Sequence, residues 1–249
     1  MTTPPHDIWS QWLLHRRRGD DPQYLQTILE TLGQVRDTVL DHAHLGEGES
    51  LLDVGCGDGL IALGALEQVL TSTVIFSDIS STLLQQVHQM TQDSGPLHRC
   101  QFLETTAEDL SALPEASVDV VTTRSVLIYI EAKAQALAEF YRVLKPQGRL
   151  SIYEPINRFA SAPAPHLWRG YDVTLVQALA EKITAVYRRV TPEDTDPMLT
   201  FDERDMLHWV EQAGFTDIEM DYKAWIKPYT RAPNHSSLVS ELPQVVALS

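Results

Sequence analysis

The segment Leu51-Leu52-Asp53-Val54-Gly55-Cys56-Gly57-Asp58-Gly59 limits what this chain can fold into more than any other stretch. An apolar run enters three glycines at every second position, and a helical pattern follows at once. Residues without a side chain admit the positive φ of a tight strand-to-helix turn and let a ligand lie against bare backbone. Asp78, nineteen positions after Gly59, ends a second apolar run, Val74-Ile75-Phe76. A glycine turn paired with a later carboxylate is how α/β proteins hold a ribose-bearing cofactor.

The spacing narrows the choice of cofactor. A nicotinamide loop would place its third glycine where this chain has Leu60, and a phosphate loop would need a Lys followed by Ser or Thr. Asp53, inside the strand, would repel a pyrophosphate but suits a ligand carrying an ammonium group and a sulfonium. The pattern resembles motif I of class I S-adenosyl-L-methionine (SAM) methyltransferases. Three later segments are similar to that family in the expected order: Thr106-Ala107-Glu108-Asp109-Leu110, Ser117–Val121 leading into Arg124–Tyr129, and Phe140–Leu150. The last departs from the common form in having Gln147 where Gly is usual.

The resemblance covers roughly residues 50–155 and implies roles position by position. Asp53, Gly55, Cys56 and Gly57 would face the methionine part of SAM, with Asp53 toward its ammonium. Asp78 would accept from both ribose hydroxyls, since a carboxylate has acceptor sites for a vicinal diol. Ile79 would cover an adenine face, Thr106, Ala107 and Glu108 would approach the adenine edge, and Arg124 would join the cofactor site.

Strands expected at 51–54, 73–77, 100–104, 118–122 and 148–153 alternate with helices at 58–70, 80–92 and 131–145. That alternation gives an α/β fold, a Rossmann-like mainly parallel sheet with helices on both faces. The chain reads as one domain: an N-terminal helical lid over 1–49, a SAM-binding core over 50–155, an inserted helical cap over 156–201, and a C-terminal part over 202–249. In the lid, Ile8, Trp9, Trp12 and Leu13 share a helical face, and Pro22 opens a longer amphipathic helix. Leu167–Val190 offers a long helical pattern in the cap. A helix at about 202–213 ended by Gly214 precedes a strand region at 215–227, and the tail from Pro228 shows no assignable period.

A net charge of −15 argues against a nucleic-acid partner, whose phosphates call for clustered positive charge. Arg16-Arg17-Arg18 is the single basic run, read as a solvated helix end or as a clamp for an anionic substrate group. Cys56 and Cys100 are too few for a disulfide framework and suit a reducing compartment, so the cytoplasm is expected. No apolar run approaches the roughly 18 residues of a spanning helix, so no membrane association is expected. The positive charges follow the N-terminal apolar stretch, which does not read as a signal peptide. His42 and His44 sit two apart and face different ways on a helix, so no metal site is expected. A homodimer is left open.

These readings lead to SAM-dependent methyl transfer to an O, N or C atom of a small-molecule acceptor, in specialised metabolism. The rivals are a SAM-binding enzyme of a non-methylating reaction and a SAM-binding module without turnover. For catalysis the expected residues are Glu154, Tyr129 and His166. Pro155 stops the last strand just after Glu154, which would leave that carboxylate at the sheet's mouth as a base. Its structural alternative is a pairing with Arg124 or Arg158 that holds the cap. Trp168 and Tyr171 of the cap, and Trp9, Trp12 and His15 of the first helix, are further candidates, with the Trp pair read chiefly as core and His15 and His166 chiefly as structural.

Overall fold

Val118–Arg124 sets the centre of the molecule: Val118, Val120, Val121, Thr122 and Thr123 are all buried, as a strand covered on both faces requires. The structure is a computed structural model that describes residues 7–13, 22–158, 167–168, 171–190, 192–223 and 246–248. In chain order its elements are α1 (Ile8–Gln11), α2 (Pro22–Ala43), β1 (Ser50–Val54), α3 (Leu60–Gln68), β2 (Thr73–Asp78), α4 (Ser81–Ser94) and β3 (Cys100–Glu104). There follow β4 (Val118–Arg124), α5 (Lys133–Val143), β5 (Leu144–Glu154), β6 (Leu167–Trp168), β7 (Tyr171–Asp172), α6 (Gln177–Val190), α7 (Glu203–Ala213), β8 (Met220–Tyr222) and β9 (Val246–Leu248).

Among the described residues the main sheet runs β3-β2-β1-β4-β5-β9-β8. The pairs joining β1 to β5 are parallel, and β9 pairs antiparallel with both β5 and β8. Chain order reverses between β1 and β4, which opens a crevice at their carboxyl ends, where open α/β sheets bind ligands. One face of the sheet packs Leu137, Phe140, Met206 and Val210 of α5 and α7. The other packs Val39, Leu40, Ile61, Ala65 and Val87 of α2, α3 and α4. The α-helical periodicity of Val35, Val39 and Leu40 thus finds its partner, and Ser151 Oγ donates to the Val39 carbonyl at 2.8 Å to pin α2 on β5.

Local signals set the boundaries. Gly59, at φ 83°, precedes α3. Ser80 caps α4 by accepting from the Leu83 N–H at 3.2 Å, and Gly95, at φ 99°, ends it. Asp202 and Asp205 form a capping box at the start of α7.

Two regions differ from expectation. The long helix expected over 167–190 begins only at Gln177, because Leu167–Trp168 pairs with Tyr171–Asp172 as β6 and β7, and Asp172 Oδ1 then takes the Thr174 N–H at 2.9 Å. The tail, which showed no period, supplies β9 between β5 and β8. Three residues are too few to reveal a strand period, and the pairing is non-local. The tail over 228–245 lies outside the described residues, as do His15, the Arg16–Arg18 run and His166.

Candidate active site

Four loops meet at the carboxyl ends of β1 to β4. The first is the glycine turn, where Gly55, Gly57 and Gly59 all take positive φ (66°, 57° and 83°). A Cβ on Gly55 would stand 2.3 Å from Val126 Cγ2, so the loop after β4 lies directly across the turn. A Cβ on Gly57 would project toward Leu13, its nearest neighbour at 3.3 Å. The turn is held to β2 by the Cys56 N–H, which donates to the Ser77 carbonyl at 2.9 Å; the Cys56 side chain is itself buried.

Asp78 ends β2 and is 7% exposed. Its Oδ2 accepts the Gly57 N–H and its Oδ1 the Ser80 N–H, both at 2.9 Å. Each oxygen keeps acceptor capacity for a diol. Burial pushes its carboxyl up, opposed by those two N–H groups, and Asp7 adds to the rise. Ile79 beside it is half exposed. The Thr105 N–H donates to the Asp78 carbonyl at 3.1 Å and brings the third loop alongside: Thr106 is exposed, Ala107 buried and Glu108 between. A buried carboxylate with acceptor capacity to spare, a bare glycine turn and an apolar flank are what an adenosyl-amino-acid cofactor needs, so the residues fit SAM.

Two expected site residues take other positions. Asp53 was expected to face the ligand ammonium, but its carboxylate turns inward. Oδ1 accepts from Thr122 Oγ1 at 2.9 Å and Oδ2 from the Ala62 N–H at 3.2 Å, so it joins β1, β4 and the start of α3. Burial raises it to about 7, against the hydrogen bonds and Arg124. Glu154 was expected at the mouth of the sheet as a base, and instead it is fully buried. Its Oε1 accepts the Val126 and Leu127 N–H groups at 2.7 and 2.9 Å, and its Oε2 the Ile128 N–H at 3.1 Å. Burial lifts it to about 7 despite those donors.

Glu154 therefore anchors the β4 loop, and with it Val126 on Gly55. The rival pairing is not seen either: Arg158 reaches Asp202 and Asp205 at 3.1 and 3.4 Å. Arg124 ends β4 near both buried carboxylates, its Nη1 3.4 Å from Ser125 Oγ. Lys133 secures the far side of the same loop, donating to the Ile130 and Pro197 carbonyls at 2.6 and 2.9 Å above the Phe201 ring.

The N-terminal segment packs against these loops. Trp9 meets Tyr129 edge-on with ring centroids 4.9 Å apart, and Leu13 lies over Gly57. Asp7, the N-cap of α1, accepts Ser80 Oγ at 2.5 Å. Asp7, Ser80 and Val126 were missed in the sequence. An Asp directly before an apolar helical run is a capping signal, but nothing local says what else it touches.

Residues 52–152 match the family model described as a methyltransferase domain. Over those residues the chain is similar to a methyltransferase domain, and the sheet around them has the fold of that family. A similar curated relative is the ubiquinone/menaquinone biosynthesis C-methyltransferase UbiE of Hahella chejuensis, 32% identical over 141 residues, or 56% of this chain and 55% of that protein. The chain spans about half the length of the curated relatives it matches. Among solved structures, a SAM-dependent methyltransferase from Aquifex aeolicus superposes with a TM-score of 0.55 at 18% identity, covering 92% of this chain and 99% of that one. The [4+2]-cyclase SpnF superposes with a TM-score of 0.55 at 24% identity, covering 76% of this chain and 60% of that one. At these identities the methyltransferase fold is what the solved structures share with this chain.

Proposed function

We propose that this chain transfers the methyl group of SAM to a small-molecule acceptor held between the β4 loop and the lid. One observation carries the reading: the buried Asp78, locked by Gly57 and Ser80 with acceptor capacity left on both oxygens, stands at the crevice where strand order reverses. When bound, SAM supplies a methyl group already activated on a positively charged sulfur. The chain's task is then alignment and exclusion of water. Asp78 would hold the ribose, Gly55 and Gly57 the methionine part, Ile79, Thr106, Ala107 and Glu108 the adenine, and Arg124 the edge near the strand ends.

Trp9 and Tyr129, whose rings meet edge-on, would line the acceptor side, an aromatic edge that suits a planar ring. The C-methyltransferase names of the relatives in ubiquinone and menaquinone biosynthesis favour a ring carbon as the acceptor atom. With Glu154 consumed by the loop, Tyr129 is the first candidate to orient the acceptor or receive its proton, and His166 the second. The strongly acidic surface favours a small molecule over a nucleic acid.

Incubation of the protein with methyl-labelled SAM and a small-molecule extract tests this. Label should pass to a low-mass product, with one demethylated cofactor formed per methyl transferred. SAM that binds but is never consumed would point to a non-methylating reaction on the same fold.

A further inference from the structure

The lid does more than cover the crevice, because it brings a carboxylate with it. Asp7 Oδ2 accepts the Ser80 hydroxyl, and the Ser80 N–H is held by Asp78 Oδ1. A continuous hydrogen-bonded path thus runs from the N-cap of α1 to the carboxylate assigned to the ribose. Asp7 Oδ1 is fixed as well, by the Ser10 N–H at 2.8 Å. The other lid contacts, Trp9 on Tyr129 and Leu13 over Gly57, place the same segment over the loops after β4 and β1. Docking the lid therefore sets a second acidic side chain beside the crevice edge marked by Asp78, with Asp53 buried beneath it. Arg124 is a cation that acts on Asp53.

SAM and its demethylated product S-adenosylhomocysteine differ by one methyl group and by one positive charge, which the sulfur loses on transfer. We propose that Asp7 is a specificity-determining residue of the lid, whose charge makes the closed site favour the sulfonium donor over the neutral product. The inference rests on the SAM reading above. It follows from Coulomb attraction across the crevice, where a carboxylate is felt by the +1 ligand and not by the neutral one. Consistent with a charge kept in place, the Ser80 hydroxyl and the α1 N–H groups outweigh burial and hold the Asp7 carboxyl below its ordinary value. Transfer itself would then weaken lid docking and help release the product.

The test is calorimetric titration of SAM and of S-adenosylhomocysteine into the whole chain and into Asp7→Asn. Asn caps a helix as well as Asp, so α1 keeps its start while losing the charge. The ratio of product to donor dissociation constants should shrink by about three- to tenfold in the variant, through weaker SAM binding, with product affinity held within about twofold. Raising salt to about 1 M, where the screening length is ~3 Å, should narrow the ratio in the parent protein more than in the variant. Equal losses for both ligands would make Asp7 a mechanical latch only and overturn the proposal, as would an unchanged ratio. If neither ligand binds the parent protein, the SAM reading fails first and this inference falls with it.

Discussion

At the scale of single residues, the crevice is shaped by backbone that only glycine adopts freely and by one buried carboxylate, Asp78. Gly55 and Gly57 need positive φ, and Asp78 closes an apolar run. The one departure from the family's pattern, Gln147, also has a physical reading now. It takes φ 68° within β5, between Leu144 and Arg149 where the register against β4 shifts, a left-handed backbone that a side chain resists. Gln147→Gly should raise stability by up to about 1 kcal/mol, the relief of a left-handed non-glycine residue outweighing the added freedom of the unfolded chain. Denaturant melts check this, and a lower midpoint would mean that the Gln147 side chain contributes more than its backbone costs. Gly148 beside it tolerates no such exchange in reverse, since its Cβ would meet the Lys145 carbonyl at 2.8 Å.

At the scale of elements, the alternation of strands and helices was legible because the central strands are long and apolar and their helices are capped nearby. What was not legible is how elements grip one another at a distance. Glu154 looked like a catalytic group because it sits at a strand end before Pro155. Only the fold shows that the N–H groups of Val126, Leu127 and Ile128 converge on it from another loop. β9 escaped notice for the same reason, being a short strand defined by partners far away in sequence. The anchor role makes a prediction distinct from a base. In Glu154→Gln the amide nitrogen would face a backbone donor, so stability should drop by about 1–3 kcal/mol. SAM affinity should fall with it, because Val126 then loses its seat on Gly55. A catalytic base would instead leave stability and SAM affinity intact while slowing the chemical step by about 10²–10⁴-fold. Denaturant melts and SAM titration of this variant distinguish the two.

At the scale of the whole molecule, buried acids govern the response to pH. Asp53 and Glu154 are both raised to about 7 by burial. A carboxyl raised on folding favours the protonated folded state, so its contribution is complete below its unfolded value near 4 and is lost as pH climbs through about 7. Asp7, Glu49, Asp119 and Glu139 are lowered, and their contribution is lost as pH falls below about 4. The net charge of −15 adds self-repulsion on the alkaline side. The ligand-free protein should therefore melt at a higher temperature near pH 5 than at pH 8, and Glu154→Gln should flatten that descent. A melting temperature that rises from pH 5 to 8 would show that these carboxyls are solvated in the folded protein. SAM binding should move the other way and tighten as Asp53 ionises, since an added negative charge favours the cationic ligand.

All of this depends on the crevice being a SAM site with Asp78 on the ribose. Calorimetric titration of SAM and of NAD into the parent chain and into Asp78→Ala tests that claim most directly. The lost bonds are charge-assisted and worth about 1.5–3 kcal/mol each. SAM should bind the parent chain and bind Asp78→Ala at least about tenfold more weakly, while the variant stays folded and NAD gives no heat in either. Tight NAD binding without a SAM signal, or a SAM dissociation constant unchanged by Asp78→Ala, would contradict the account.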